Sequence, residues 1–388
     1  MSLRLSRLTL TDFRNYQSLV WRPASRISAV FGPNGSGKTN LLEAVSLLVP
    51  GRGLRGARTA EFARRAPGVS GRWGVAGRFA TPSGPLDVGT GSAPDGQADR
   101  RVFRLDGAAP RNQGEIAARL AAVWLTPQMD RLFVEGASGR SRFLDRLAWA
   151  LEPSHAREVA AHDTAMAGRN RLLAEGRTDA VWLAGVEDAV ARHAVAVTAA
   201  RAGLVARLNA ALERGAAAPF PAARLALLCP IAERLAGEPA LAVEDWLRET
   251  LAANRARDAA AGSAGVGAHR ADMGLADAES GLTAALASTG QQKALLIGVI
   301  LGHAALIAEA RGFAPLLLLD EPCVHLDPER RLALFAALAR LPAQALLTGT
   351  DAETFFPLRG AAEGLRAGEG ELRPDAGFPP VTPGLGTL

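Results

Sequence analysis

The chain has 388 residues, of which 48% are hydrophobic and 21% charged, and its formal net charge is +5. This is a globular composition, long enough for one large or two moderate domains, and no run approaches the 18 or more uninterrupted apolar residues of a membrane span. Two cysteines, Cys229 and Cys323, exclude a disulfide framework or a cysteine-built metal cluster and point to a reducing, cytoplasmic compartment. The positive balance fits a nucleic-acid partner, although an arginine-rich composition inflates it by itself. Of 44 basic residues only Lys38 and Lys293 are lysine.

The first segment, "MSLRLSRLTLTDFRNY", alternates apolar and polar residues as a strand does and lacks the apolar core of a signal peptide. "RISAVFG" reads as a second strand, followed by a glycine loop and a helical run over 38–49. "GRWGVAGRFA" and "RVFRLDG" read as strands joined by Gly- and Pro-rich turns. From about 137 to 215 the composition shifts to Ala, Arg, Leu and Glu. Apolar residues recur there at Leu183, Val186, Val190, Val197, Leu204 and Leu208, which predicts one long amphipathic helix paired with another around 153–175. Both a two-helix core and a helical arm inserted into the strand-rich domain fit that pattern. "STGQQKALLIGVILGHAALIAEA" and "APLLLLDEP" then return to helix and strand. The Gly- and Pro-rich tail from about 359 is expected to be partly unstructured.

"GPNGSGKT" matches G-x-x-x-x-G-K-[ST] between an apolar strand and a helix, the context a phosphate-binding loop requires. Gly32, Pro33, Asn34, Gly35, Ser36 and Gly37 would bend the backbone so that its N–H groups face phosphate oxygens, aided by the helix N-terminus. Lys38 would reach the β- and γ-phosphates of ATP, and Thr39 would ligate Mg²⁺. "PLLLLDEP" is a buried strand tipped by two acids. Asp320 would hold Mg²⁺, and Glu321 would orient and deprotonate the attacking water. "ASTGQQK" opens a further helix about 30 residues upstream. Ser288 and the N–H groups around Gly290 suit a second phosphate-binding helix end, and Lys293 would serve a nucleotide held by a partner, order the signature loop, or meet DNA nearby.

In this order the motifs resemble the heads of ABC-type ATPases and, within them, the RecF family. "LTLTDFRNYQ", "GPNGSGKTNLLEAV", "LTPQMDRLFVEGASGRSRFLDRL", "GAHRADM", "STGQQK" and "LLLLDEP…HLDPERR" carry the resemblance, which covers roughly residues 1 to 350. It implies an α/β fold, a P-loop ABC-type ATPase head of mixed sheets and helices with an inserted helical arm lobe. The implied lobes are residues 1–125 (ATPase, first part), 126–265 (arm) and 266–358 (ATPase, signature and acids), followed by a tail, 359–388. The implied activity is a weak, DNA-stimulated ATPase acting as a switch in recombinational repair and replication restart. Its implied partners are single-stranded, double-stranded and gapped DNA, RecR, indirectly RecA, and a second copy of the chain joined through ATP, with a link to SOS induction and no membrane.

The resemblance also assigns Gln128 as a sensor of the nucleotide, Gln291 to the signature, Asp327 to the D-loop, and Thr350 or Thr348 to the γ-phosphate side. Gln128 itself stands where the family often carries an acid, and the resemblance is incomplete in two further places. Ala287-Ser288-Thr289-Gly290-Gln291 departs from Leu-Ser-Gly-Gly-Gln, and Val324-His325 replaces the usual Ser-Glu ahead of Leu326-Asp327. Arg52, Arg55, Arg58, Arg140 and Arg142 sit in arginine-dense stretches and are the candidates for DNA phosphate contacts. The absence of an aromatic-interleaved stacking platform favours shape and backbone recognition over base readout. The competing expectation is the ATPase subunit of an ABC-type membrane transporter. An SMC-like structural ATPase would need a far longer coiled coil, and a small-molecule P-loop kinase leaves "STGQQK" unexplained.

Overall fold

The computed structural model describes residues 3–66, 71–94, 100–176 and 179–379. The chain falls into two compact units, one formed by residues 1–130, 215–222 and 288–388, the other by 131–214 and 223–287.

The first unit opens with β1 (Arg4–Phe13) and β2 (Tyr16–Trp21), an antiparallel hairpin. β3 (Ile27–Phe31) enters a different sheet and is buried at every position, as an unbroken apolar run flanked by other strands should be. After α1 (Lys38–Ser46), β4 (Gly74–Thr81), β5 (Gly84–Ser92) and β6 (Arg101–Leu105) complete an antiparallel sheet in the order β2-β1-β4-β5-β6. β5 was expected to be turn, because "GPLDVGTGS" has little strand propensity. It forms because β4 and β6 offer it ladders on both sides, and strand propensity is easily overridden by pairing. α2 (Gln113–Arg119) and β7 (Ala122–Leu125) lead to the edge of the second sheet.

The second unit contains α3 (Ala137–Leu151), α4 (His155–Ala174), α5 (Ala180–Glu213), β8 (Ala223–Leu228), α6 (Pro230–Leu235), α7 (Ala240–Ala253), α8 (Arg255–Ala261) and β9 (Asp272–Asp277). The expected pair of long helices is α4 and α5, and α5 runs 34 residues from an Asp179 cap whose carboxylate accepts from Val181 N and Trp182 N. Val190, Ala194 and Val197 of α5 share a core with Ile231, Val243, Leu247 and Leu251. β8 and β9 pair antiparallel, which draws residues 266–287 into this unit, so its edges fall at 130/131 and 287/288 rather than 125/126 and 265/266. Inside it Arg169 is completely buried and bonds Glu187 Oε1 at 3.0 Å, Asp258 Oδ2 at 2.8 Å and Leu251 O at 2.7 Å.

The chain then returns to the first unit through α9 (Thr289–Arg311), β10 (Leu316–Leu319), α10 (Pro328–Arg340), β11 (Ala345–Gly349), β12 (Ala362–Gly368) and β13 (Glu371–Pro374). By length and composition α5 and α9 could each cross a membrane, but 78% of the most apolar window of α9 is buried inside the fold. The second sheet has the order β13-β12-β3-β11-β10-β7 and is parallel except at β13. As far as residue 379 the tail is therefore more ordered than its Gly and Pro content suggested. β12 pairs directly with β3, while residues 380–388 lie outside the described residues. Because β3, β11 and β10 are parallel neighbours, the loops leaving their carboxyl ends meet, where open α/β sheets bind ligands.

Candidate nucleotide-binding site

The loop after β3 is fastened at its start, where Gly32 N donates to Gly349 O at the end of β11 (3.3 Å). At its end Gly37 caps α1 with φ of 101°, and a Cβ there would lie 2.3 Å from Asn15 Nδ2. Only glycine meets both conditions. Lys38 folds back over the loop, and its Nζ donates to Gly32 O (2.7 Å) and Pro33 O (2.9 Å). Burial holds its pKa below the ordinary lysine value, with Glu321, Asp320 and Asp351 pulling the other way. Ser36 Oγ is buried with no hydrogen-bond partner among the described residues, while Pro33, Asn34 and Gly35 are exposed. An ammonium satisfied only by carbonyls, an orphaned hydroxyl and an open helix N-terminus together fit a phosphate group.

The acids after β10 come to the same place. Thr39 Oγ1 donates to Asp320 Oδ1 at 2.9 Å across 281 residues of sequence. Thr348, on β11 between the two loops, donates its hydroxyl to the same Asp320 oxygen at 2.7 Å. Its oxygen accepts the N–H of Glu321 at 2.9 Å. Glu321 itself has φ of 50°, the left-handed region that few non-glycine residues occupy. Asp320 is buried and Glu321 half-buried, so the first can order a cation and the second keeps its carboxylate accessible.

The "FRNY" segment matched the family by resemblance alone; its physical role emerges from contacts. Arg14 grips Glu43 of α1 with two bonds of 2.8 and 3.0 Å and also donates to Glu61 O. Asn15 Nδ2 donates to Ser36 O (3.3 Å) and its oxygen accepts from Asn40 Nδ2 (2.8 Å). Tyr16 donates its hydroxyl to Gly37 O at 3.0 Å, and burial raises its pKa well above the usual phenol value. The hairpin thus braces the loop from behind. No local pattern announced this, since the partners lie 21 to 47 residues downstream.

The remaining expectations fare differently. Gln128 is exposed in the turn Pro127–Arg131 that follows β7, beyond the same carboxyl edge of the sheet. Ser288 and Gln291 form a reciprocal capping box at the start of α9, with Ser288 N to Gln291 Oε1 at 2.9 Å. Gly290 passes so close to His325 O that a Cβ would lie 2.7 Å away, which keeps the signature turn against the D-loop. Asp327 caps α10 by accepting from Arg330 N (2.8 Å). Thr350 is exposed and bonds Asp351, whereas Thr348 is the hydroxyl wired into the acid pair. Lys293 is the clear correction. It is 1% exposed, with Nζ on Asp130 Oδ2 (3.1 Å) and Glu321 O (3.0 Å), so its ammonium is engaged inside the fold instead of presented to a partner's nucleotide or to DNA.

The arginines divide. Arg52 and Arg58 are exposed and line a cavity of about 660 Å³ with Thr59, Phe62 and Phe103 and, among the described residues, no acidic side chain. Arg55 is exposed but bonds Asn40 Oδ1 (2.9 Å). In the second unit Arg142 is exposed, but Arg140 is not available for DNA. Asp272 takes two of its donors at 2.6 and 2.9 Å, and Leu132 O and Glu135 O accept from a third. In the first unit Arg101, which lines the same cavity as Arg52 and Arg58, turns inward, bonds Leu47 O and Gly51 O at the end of α1, and has its pKa brought down to about 10 by burial.

No family model matches the chain. Among solved structures, the recombination mediator protein RecF-ATPrS in the RecFOR pathway aligns with a TM-score of 0.82 at 20% identity, covering 97% of this chain and 99% of that one. The Smc head domain with an extended coiled coil from Pyrococcus furiosus aligns with a TM-score of 0.52 at 13% identity, covering 96% of each chain. The fold, helices with mixed sheets as the motifs implied, is that of the P-loop ATPase heads of the ABC and SMC type. In sequence, the DNA replication and repair protein RecF of Mesorhizobium japonicum is 45% identical over 95% of this chain and 97% of its own. That of Allorhizobium ampelinum is 44% identical over 95% and 98%. The chain belongs to the RecF family, and the transporter alternative falls away.

Proposed function

We propose that the protein is an ATP-dependent DNA-binding switch of replication and repair, working in the cytoplasm with RecR and, through it, RecA at single-stranded gaps. The observation that carries this reading is the bond from Thr39 Oγ1 to Asp320 Oδ1, which unites the glycine loop and the acid pair at one point. Backbone N–H groups of the loop from Gly32 to Gly37 would cradle the phosphates, with Lys38 turning from its two carbonyls to the β- and γ-oxygens. Thr39 and Asp320 would hold Mg²⁺, whose charge would offset that of the phosphate oxygens. Glu321 would orient the attacking water and accept its proton, with Gln128 sensing the nucleotide.

Ser288, Gly290, Gln291 and Asp327 are assigned to the face that meets a second copy on ATP, with Thr350 beside the γ-phosphate. Ser288 already has its hydroxyl in a cap, so dimerisation would redirect it. Hydrolysis is expected to be slow and stimulated by DNA, consistent with threonines in the switch segment and with a role that extends to SOS induction.

Sedimentation of the protein alone, with ATP, with ADP, and with ATP plus gapped DNA tests the reading. A doubling of mass with ATP only is expected, and an unchanged mass in every condition would count against it. For DNA, replacing Arg52 and Arg58 by alanine should lower the slope of log affinity against log salt by about 1 per lost phosphate contact. Arg140→Ala should leave that slope alone and destabilise the second unit instead.

A further inference from the structure

Lys293 sits one turn inside α9, yet both of its bonds lead to the acid pair and its surroundings. Glu321 O accepts from Nζ at 3.0 Å, and Asp130 Oδ2, in the turn that also carries Gln128, accepts at 3.1 Å. The backbone at Glu321 needs such support. A left-handed φ of 50° in a residue with a Cβ is sterically disfavoured and persists only where neighbours over-determine it. Here the N–H of Glu321 is held by Thr348 of β11 and its C=O by Lys293 of α9. With both ends of the residue pinned, the direction in which its side chain leaves the backbone is set.

We infer that Lys293 is a positioning residue for Glu321, aiming the carboxylate through its carbonyl and tying that aim to the Gln128 turn and to the signature helix. The inference rests on the reading of Glu321 as the base in ATP hydrolysis. Lysine suits the place because an ammonium directs separate donors at a carbonyl and a carboxylate within a closed slot, whereas a planar guanidinium is wider and points its donors in one plane. Asp130 balances the buried charge, so the carboxylate of Glu321 stays free of an ion pair with it.

The test is a cycle of ATPase rates on the full chain with ATP affinity measured alongside. Lys293→Met should lower kcat by about 10-fold or more through misplacement of the base, with the Kd for ATP changed less than about 3-fold. Asp130→Asn should lower kcat in the same direction by a smaller factor. In a Glu321→Gln background, which should itself be slow, Lys293→Met should add no further loss, because nothing remains to be aimed. Equal loss factors in both backgrounds, or a fall in ATP affinity that matches the fall in kcat, would overturn the inference. If Lys293→Met does not fold, Asp130→Asn carries the same cycle with the same criteria. A wild-type rate for Glu321→Gln would overturn the reading of the base itself, whereas a slow Glu321→Gln with multiplying losses would sink only the role of Lys293.

Discussion

Two buried cations, one in each unit, are handled in opposite ways. Arg169 of the second unit lies against two carboxylates that are themselves buried, and Arg255 adds a bond to Glu187 from the other side. Every charge there finds its counterpart inside the protein. Lys38 of the first unit is nearly as deeply placed, but its hydrogen-bond partners are two carbonyls of its own loop. The closed network serves packing. The open one is complete only when an anion arrives, and the contrast separates structural from functional charge more sharply than burial does.

The largest expected effect falls on the closed network. Arg169→Met leaves the buried Asp258 without its cation and Glu187 with Arg255 alone, and should cost about 3–5 kcal/mol in chemical denaturation. A loss under about 1 kcal/mol would mean that the network is dispensable and the contrast false. Next comes Lys38→Ala, which removes no ion pair and should leave the melting temperature nearly unchanged while weakening ATP binding by about 100-fold in a fluorescence titration. Intact ATP binding would break the comparison from the other side.

Acidification sharpens it further. His162 and His269, in the second unit, have their pKa values lowered by burial. Arg201 acts in the same direction on His162 and Arg270 on His269, while Asp163 opposes on both. The unfolded chain therefore binds more protons than the folded one as pH drops below the ordinary histidine value of 6.5. Stability present above that value should fade as pH falls through the folded pKa values, and His162→Asn should blunt the loss seen in melts between neutral and mildly acidic pH. The smallest effect belongs to Tyr16→Phe, which removes one bond to the glycine loop and should cost about 1 kcal/mol, visible as faster amide exchange in the loop.

The chemistry-bearing motifs were legible because each is contiguous. A glycine loop between strand and helix, or two acids at the tip of an apolar strand, carries its own context. What binds them together was not legible. Thr348 joins Asp320 to Glu321 only because β11 threads between β3 and β10, and that order is a property of the sheet, not of any window of sequence. β5, β12 and β13 escaped for a related reason: pairing partners made strands of Gly- and Pro-containing segments. Arg140 read as a surface charge because Asp272, which claims it, lies 132 residues away. Lys293 did leave a clue. A lone cation at the head of "KALLIGVILGHAALIA" sits in a run too apolar to face water, so a buried acid partner was the consistent reading.

The two lysines have a practical consequence for anyone labelling this protein. Both side chains are almost wholly covered, at 4% and 1% exposure, and the other 42 basic residues are arginine. The surface of the described residues therefore offers no side-chain amine to an acylating reagent. Acylation of Lys38 or Lys293 becomes a clock for the opening of the glycine loop or of the signature helix, each read as its own peptide mass without any engineered probe.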